Sequence, residues 1–358
     1  MRAPMASSRS VPRRLALVAL SALAGLVLVE IGFRIYARTA GLDLAGLALY
    51  RRYVLTGRGN IDGHPYTLYV PAPLDDPDDV EGWFDQPLPV ERTPGVTRVA
   101  CLGASTTQRG YPELMEPILE RETGRAFEVQ NWGVSGWNTA ETLINWVLHA
   151  QDWRPDVVVI HHAWNDIYAR QTPGFRSDYS HYRRPWSSQV KGPLVRALAR
   201  VSEAFSYWLM TARRFDVEAI VSRPEVDHLH PEPLVPETAR AFERNLRTLG
   251  ELAALRGARV VLVTMPWYPS PIPPEQLPPH VRNLGEGLLE HNRILRELAA
   301  DEGWVLLDMA GLSEQEPERM RATMVPGDPI HWRPELMGDK AAWIAEHLIA
   351  SGALDGGG

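Results

Sequence analysis

From Thr97 onward, short runs rich in β-branched residues alternate with longer stretches of helical periodicity, and no other feature restricts the architecture as much. The runs are Arg98–Leu102, Phe127–Gln130, Asp156–His161, Arg259–Thr264 and Trp304–Asp308, and the helical stretches cover 111–123, 139–151, 238–256, 284–302 and 334–350. Strands separated by helices pair in parallel, so the pattern predicts an α/β domain on a doubly wound parallel sheet. Such sheets bind ligands beyond the carboxyl ends of their strands, which makes the residues after each run the candidates for chemistry.

After the first run come Gly103-Ala104-Ser105-Thr106-Thr107, where a sharp turn leaves a serine hydroxyl near a helix start. The second run leads into Asn131-Trp132-Gly133-Val134-Ser135-Gly136, whose glycines let backbone N–H groups approach a ligand, and the third into Ala163-Trp164-Asn165-Asp166 with its amide donor. Each block by itself is equally a helix cap or a turn. Near the C-terminus, Asp328 precedes His331 by three residues, a spacing that in a turn brings the carboxylate to Nδ1 and leaves Nε2 to accept a serine proton. Asp308 and Asp339 are rival acids without that spacing. A serine, a backbone donor, an amide and an Asp–His pair thus fall in loops at one end of the predicted sheet.

Taken in order, Gly103-x-Ser105, Asn131-x-Gly133-x-x-Gly136, Asn165-Asp166 and Asp328-x-x-His331 resemble the four blocks of the SGNH (GDSL-like) hydrolase family, over about residues 97–350. Ala104 stands where the G-D-S form has aspartate, giving the G-x-S-T-T variant, and Ala163 stands for a glycine, which bears on the conformation of that loop. The resemblance implies a three-layer α/β/α sandwich with a five-stranded, flavodoxin-like parallel sheet. It further implies Ser105 as nucleophile, His331 as base and then acid, Asp328 as its orienting partner, and an oxyanion hole of the Ser105 N–H, the Gly133 N–H and the Asn165 amide. The expected activity is a cofactor-free, metal-free serine esterase acting on a short-chain or acetyl ester of a carbohydrate or cell-envelope substrate. An O-acyltransferase with the same triad and a non-catalytic envelope binding protein are the alternatives.

Trp132, Trp164, Trp267 and Trp332 lie within a few residues of these blocks or of the proline-rich stretch after the fourth run, and are expected to form an aromatic rim that binds substrate, although each is also suited to core packing. About 95 residues separate the third and fourth strands, so an insertion at about 170–236 is expected to overhang the site. Within it Pro193–Phe215 reads as one amphipathic helix, packed on the domain or lying on a membrane surface. His228 and His230 also fall there, without a third metal ligand in sequence.

At the other end, residues 1–14 are basic, and Leu15–Phe33 is a 19-residue apolar stretch preceded by Arg2, Arg9, Arg13 and Arg14. It predicts an uncleaved signal anchor with the N-terminus cytoplasmic and the catalytic domain outside the cytoplasmic membrane; a cleaved signal peptide and a buried helix are the alternatives. Glu30 interrupts it, with Arg34 one helical turn on. Residues 34–96 read as a mostly irregular stalk and apron, and 351–358 as a tail. Without residues 1–41 the chain keeps 31 basic and 43 acidic residues, a formal charge of −12 that disfavours a nucleic-acid partner. A single cysteine, Cys101, excludes an internal disulfide. Only Lys191 and Lys340 are lysines among the 37 basic residues.

Overall fold

A computed structural model describes residues 10–42, 47, 61–64, 66–71, 91–108, 110–182, 193–212, 232–267 and 274–355. In chain order the first elements are α1 (Ser10–Thr39), β1 (Ile61–His64), β2 (Leu68–Pro71), β3 (Val96–Gly103), α2 (Ser105–Gln108), α3 (Tyr111–Thr123) and β4 (Ala126–Gly133). There follow α4 (Thr139–Leu148), β5 (Val157–His161), α5 (Trp164–Gln171), α6 (Pro193–Val201), α7 (Glu203–Ala212) and α8 (Arg240–Leu255). The chain closes with β6 (Arg259–Val263), α9 (Pro279–Glu302), β7 (Val305–Leu307), α10 (Ala310–Gln315), α11 (Pro317–Thr323) and α12 (Met337–Ala350). Contacts divide the chain into two units, Met1–Ile61 with Trp186–Ile220, and Asp62–Pro185 with Val221–Gly358.

The larger unit carries the five-stranded parallel sheet, in the order β4-β3-β5-β6-β7. Alternation along the strands sends Ala100, Leu102, Val158, Ile160 and Leu262 to a core with Trp146 of α4, Phe242 and Leu246 of α8, and Leu295 of α9. Val99, Cys101, Val157, Val159 and Val263 face the opposite core with Met115 and Leu119 of α3 and Ile344 and Leu348 of α12. Both faces are therefore covered by helices, as a parallel sheet requires. Gly103 pairs with Gly133 on one side and His161 on the other, so the first three strands end level and their loops emerge side by side.

Local sequence accounts for the helix boundaries. α3 has Pro112 in its first turn and stops at Gly124, which takes the left-handed φ of 68° and returns its N–H to Glu120 O. α4 starts with a capping box in which Asn138 Oδ1 accepts from Ala140 N at 2.9 Å and Glu141 Oε2 accepts from Asn138 N at 2.9 Å. Within the described part of the apron β1 and β2 pair, Tyr69 Oη donates to Ser135 O at 2.8 Å and Trp137 Nε1 donates to Tyr69 O at 3.1 Å.

In the smaller unit the single helix expected over Pro193–Phe215 is two, α6 and α7, interrupted at Ser202. Ser202 caps α7 locally, its Oγ accepting from Phe205 N at 3.0 Å, and α1 adds a distant partner. Glu30 of α1 accepts from Ser202 Oγ at 2.9 Å, Glu203 N at 2.9 Å and Ala204 N at 3.2 Å, placing a carboxylate on the first turn of α7. Arg34 Nε bonds Glu30 at 3.1 Å, as the one-turn spacing predicted, and Phe33 meets Tyr207 with ring centroids 5.3 Å apart. Among the described residues no helix is long and apolar enough to cross a membrane, so the anchor expected at Leu15–Phe33 finds no support there. Lys191, His228 and His230 lie outside the described residues.

Gly250 of α8 marks where that helix closes on the sheet, since a Cβ there would overlap the Trp304 ring. Alanine gains about 1 kcal/mol of helix propensity over glycine, against about 1–3 kcal/mol for an overpacked core. Gly250→Ala is therefore expected to lower the urea midpoint; an unchanged or raised midpoint would mean that Trp304 moves freely.

Candidate active site

Ser105 is the first residue of α2, a single turn that leaves β3 through Gly103 and Ala104. Glycines permit this turn to lie against the strand ends. A Cβ on Gly103 would overlap Thr107 and one on Gly133 would overlap the Thr107–Gln108 backbone. Asn131 fastens the same turn, with Nδ2 donating to Thr107 O and Gln108 O, each at 3.3 Å, and to Glu113 Oε1 at 2.8 Å.

Ser105 Oγ lies 2.7 Å from His331 Nε2, and His331 Nδ1 lies 2.6 Å from Asp328 Oδ2. The three-residue spacing works because Asp328 uses both oxygens. Oδ1 accepts from Ile330 N and His331 N, each at 3.0 Å, closing an Asx turn that aims Oδ2 at the ring. An antiparallel bridge between Met324 and Trp332 and a bond from Val325 N to His331 O at 2.8 Å clasp the loop. The rival Asp308 accepts instead from Thr264 Oγ1 at 2.7 Å and from Arg296, and Asp339 sits in the first turn of α12.

Asn165 is the second residue of α5, not its cap. One amide hydrogen goes to Trp137 O at 2.8 Å, leaving the second for the pocket it lines. Asp166 is buried and accepts from Thr139 N and Oγ1, and burial, against these bonds, raises its carboxyl to about 6. Ala163 has φ −165°, outside the positive range that favours glycine, so alanine can stand in its place. Its carbonyl is held by His291 Nδ1 at 2.7 Å, and His291 Nε2 in turn by Arg170 at 2.9 Å.

An open pocket of about 200 Å³ lies over Ser105, bounded by Ala104, His162, Ala163, Trp164, Asn165, Met265 and Ile330. His162 is a second imidazole in this wall, bonded through Nε2 to Thr142 Oγ1 at 2.7 Å, and burial pushes it down to about 3, so it is uncharged at neutral pH. It lies one residue past the end of β5, and only the folding of the Ala163–Asn165 segment makes its side chain part of the wall. Met265 and Ile330 were missed for a similar reason, since only the converging loops make two core-type side chains into a wall.

Two expectations are corrected. The Gly133 N–H donates to Asn131 Oδ1 at 2.9 Å and is not free for an oxyanion, and the residue instead supplies the close approach to α2. Of the four rim tryptophans only Trp164 lines the pocket. Trp132 and Trp332 are buried in opposite cores, at 3 % and 6 % exposure, because each is itself held in a backbone pairing, Trp132 with Leu102 and Trp332 with Met324, that turns it inward. Trp267 packs on α9 near Gly285. No cluster of metal-ligating side chains occurs among the described residues.

Burial would raise the Asp328 carboxyl, but His331 and the two backbone N–H groups outweigh it and hold the group at about 2, against 3.8 for a free aspartate. A carboxylate lowered on folding contributes stability that is complete above pH ~4 and is lost as pH falls toward the folded value. The stability advantage of the wild type over Asp328→Asn is therefore expected to shrink between pH ~4 and ~2 in urea titrations. A constant difference across that range would contradict the Asp328–His331 coupling.

Comparison with known proteins places these residues in context. Residues 97–337 match the model of the GDSL-like Lipase/Acylhydrolase family. Similar solved structures include the lipase/acylhydrolase from Enterococcus faecalis, with 16% identity, 71% of this chain and 96% of that one covered, and a TM-score of 0.43. A GDSL-like lipase from Bacteroides thetaiotaomicron has 14% identity, coverage of 72% and 89%, and a TM-score of 0.41. The acetylxylan esterase Axe2 from Geobacillus stearothermophilus has 14% identity, coverage of 70% and 94%, and a TM-score of 0.44. No curated protein matches the chain.

Proposed function

Because the chain belongs to the GDSL-like lipase/acylhydrolase family, we propose that it is a serine esterase whose nucleophile is Ser105 and whose substrates carry short acyl groups. The observation that carries this reading is the unbroken relay from Ser105 Oγ through His331 to Asp328, at 2.7 and 2.6 Å, beside an open pocket. A serine hydroxyl is a poor nucleophile until a base takes its proton, and His331 Nε2 is within reach of it.

In the proposed cycle Ser105 Oγ attacks the ester carbonyl as its proton passes to His331 Nε2, and Asp328 stabilises the imidazolium. The negative oxygen of the tetrahedral intermediate is met by the Ser105 N–H and the free Asn165 amide hydrogen. Collapse breaks the ester C–O bond, and His331 returns its proton to the departing alcohol. Water then attacks the acyl-enzyme with His331 again as base, releasing the acid and restoring Ser105.

The pocket supports a short acyl group. Met265 and Ile330 line it on the apolar side, beside Ser105, where a long acyl chain would have to pass them. A carbohydrate or envelope ester as natural substrate, with Trp164 against a sugar ring, extends the same proposal. So does membrane attachment with the catalytic domain outside the cytoplasm, resting on the sequence of Leu15–Phe33 and the arginines before it. The full chain is then expected to stay in the membrane pellet through a high-salt wash, which screens surface attraction. Its release into the supernatant would remove that part of the proposal.

Ser105→Ala and His331→Ala are each expected to abolish turnover of p-nitrophenyl acetate with an unchanged circular-dichroism spectrum, and Asn165→Ala to lower kcat about 10²–10³-fold with little change in KM. Acetyl esters should exceed octanoyl esters in kcat/KM by at least about tenfold, since longer chains meet Met265 and Ile330. Turnover retained by Ser105→Ala would refute the nucleophile, and a preference for octanoyl esters the pocket reading. Product analysis with a sugar acceptor separates hydrolysis from acyl transfer.

A further inference from the structure

Arginine supplies all but two of the 37 basic residues, yet Lys340 sits inside the larger unit at 2 % exposure. In so arginine-rich a chain, a buried lysine points to a task that suits a compact ammonium and not a planar fork. Lys340 Nζ donates to Thr106 O at 2.7 Å and stands 4.8 Å from the centroid of the Tyr111 ring. Burying an ammonium is costly, so its location on the nucleophile turn calls for an account.

The bonds continue from Thr106 toward the reacting centre. The peptide group whose oxygen accepts from Lys340 carries the Thr107 N–H, which donates to Ala104 O at 2.9 Å. The peptide group that owns the Ala104 oxygen carries, in turn, the Ser105 N–H. An ammonium and two peptide groups therefore stand in series, each accepting at its oxygen and donating at its nitrogen. A hydrogen bond accepted at a carbonyl polarises the amide and makes its N–H a better donor, and in a buried chain these effects reinforce one another.

Resting on the proposed role of the Ser105 N–H in the oxyanion hole, we infer that Lys340 is a positioning residue for that donor. Its charge acts through the Thr106–Thr107 and Ala104–Ser105 peptides, fixing the turn and strengthening the N–H that meets the developing negative oxygen. The charge is present in free enzyme and transition state alike, but it gains most where the oxyanion forms, so its removal acts on kcat and not on KM.

The test uses the full-length chain with Lys340→Met, which keeps the apolar stem, and Lys340→Gln, which keeps a neutral donor. Losing a whole oxyanion donor costs about 10²–10³ in kcat, so weakening one is expected to cost about tenfold in Lys340→Met, with KM within about twofold and Lys340→Gln in between. Phosphonylation by a fluorophosphonate, which builds negative oxygen at the same place, should slow by the same factor. A folded Lys340→Met variant with kcat within twofold of wild type, or a loss confined to KM, overturns the inference. Failure of both variants to fold also overturns it, by assigning Lys340 to stability. Labelling of Ser105→Ala as fast as wild type would instead sink the underlying serine-esterase reading, whereas Ser105-dependent labelling unaffected by either Lys340 variant sinks only the role of Lys340.

Discussion

The arrangement depends on how closely the α2 turn lies on the ends of β3 and β4. With Gly103 and Gly133 paired across the sheet and each lacking a Cβ, Thr107 and Gln108 settle where side chains would otherwise stand. That contact fixes the start of α2, and with it the hydroxyl of Ser105, relative to the sheet. His331 arrives from a loop 226 residues later and still meets Ser105 Oγ at 2.7 Å, which requires both partners to be held independently. Asn131 holds one side of this turn, Lys340 the other, and the Asx turn of Asp328 holds the histidine. Preorganisation of this kind is what allows fixed dipoles to stabilise a developing charge without reorganising.

Much of this was legible in the sequence because it is encoded locally. Strand-helix alternation gave the parallel sheet, Pro112 and Gly124 bracket α3, and Asp328-x-x-His331 needs only its own four residues to form the carboxylate–imidazole contact. What escaped is encoded by distant partners. Ser202 can cap a helix start, and its Oγ accepts from Phe205 N, but the break there is also set by Glu30 meeting the amides of Glu203 and Ala204. Gly133 and Gly136 look alike in sequence, and only the bond from the Gly133 N–H to Asn131 Oδ1 separates the packing glycine from the other. Trp132 and Trp332 were placed near the site by their numbers and in the cores by the pleat, since proximity in sequence does not decide which face a side chain takes. Lys340 left a compositional trace, the rarity of lysine, but its meaning depends on Thr106, 234 positions away.

Two buried histidines sharpen the chemical assignment. Burial holds His162 at about 3 and pushes His161 well below the ordinary range, with the Lys340 charge adding to the effect on His161. Neither is suited to gain a proton at neutral pH, whereas His331 has a carboxylate to stabilise its charged form and a hydroxyl at its other nitrogen. The proposed division of labour follows from surroundings, not from residue type.

The central claim is that the acyl group passes through Ser105. Rapid acid quenching of the wild-type chain mixed with p-nitrophenyl acetate, followed by peptide mass spectrometry, tests it directly. The account predicts one acetyl group on the peptide containing Ser105, appearing before steady-state turnover. Turnover without that adduct, or with the acetyl group on another residue, would contradict it.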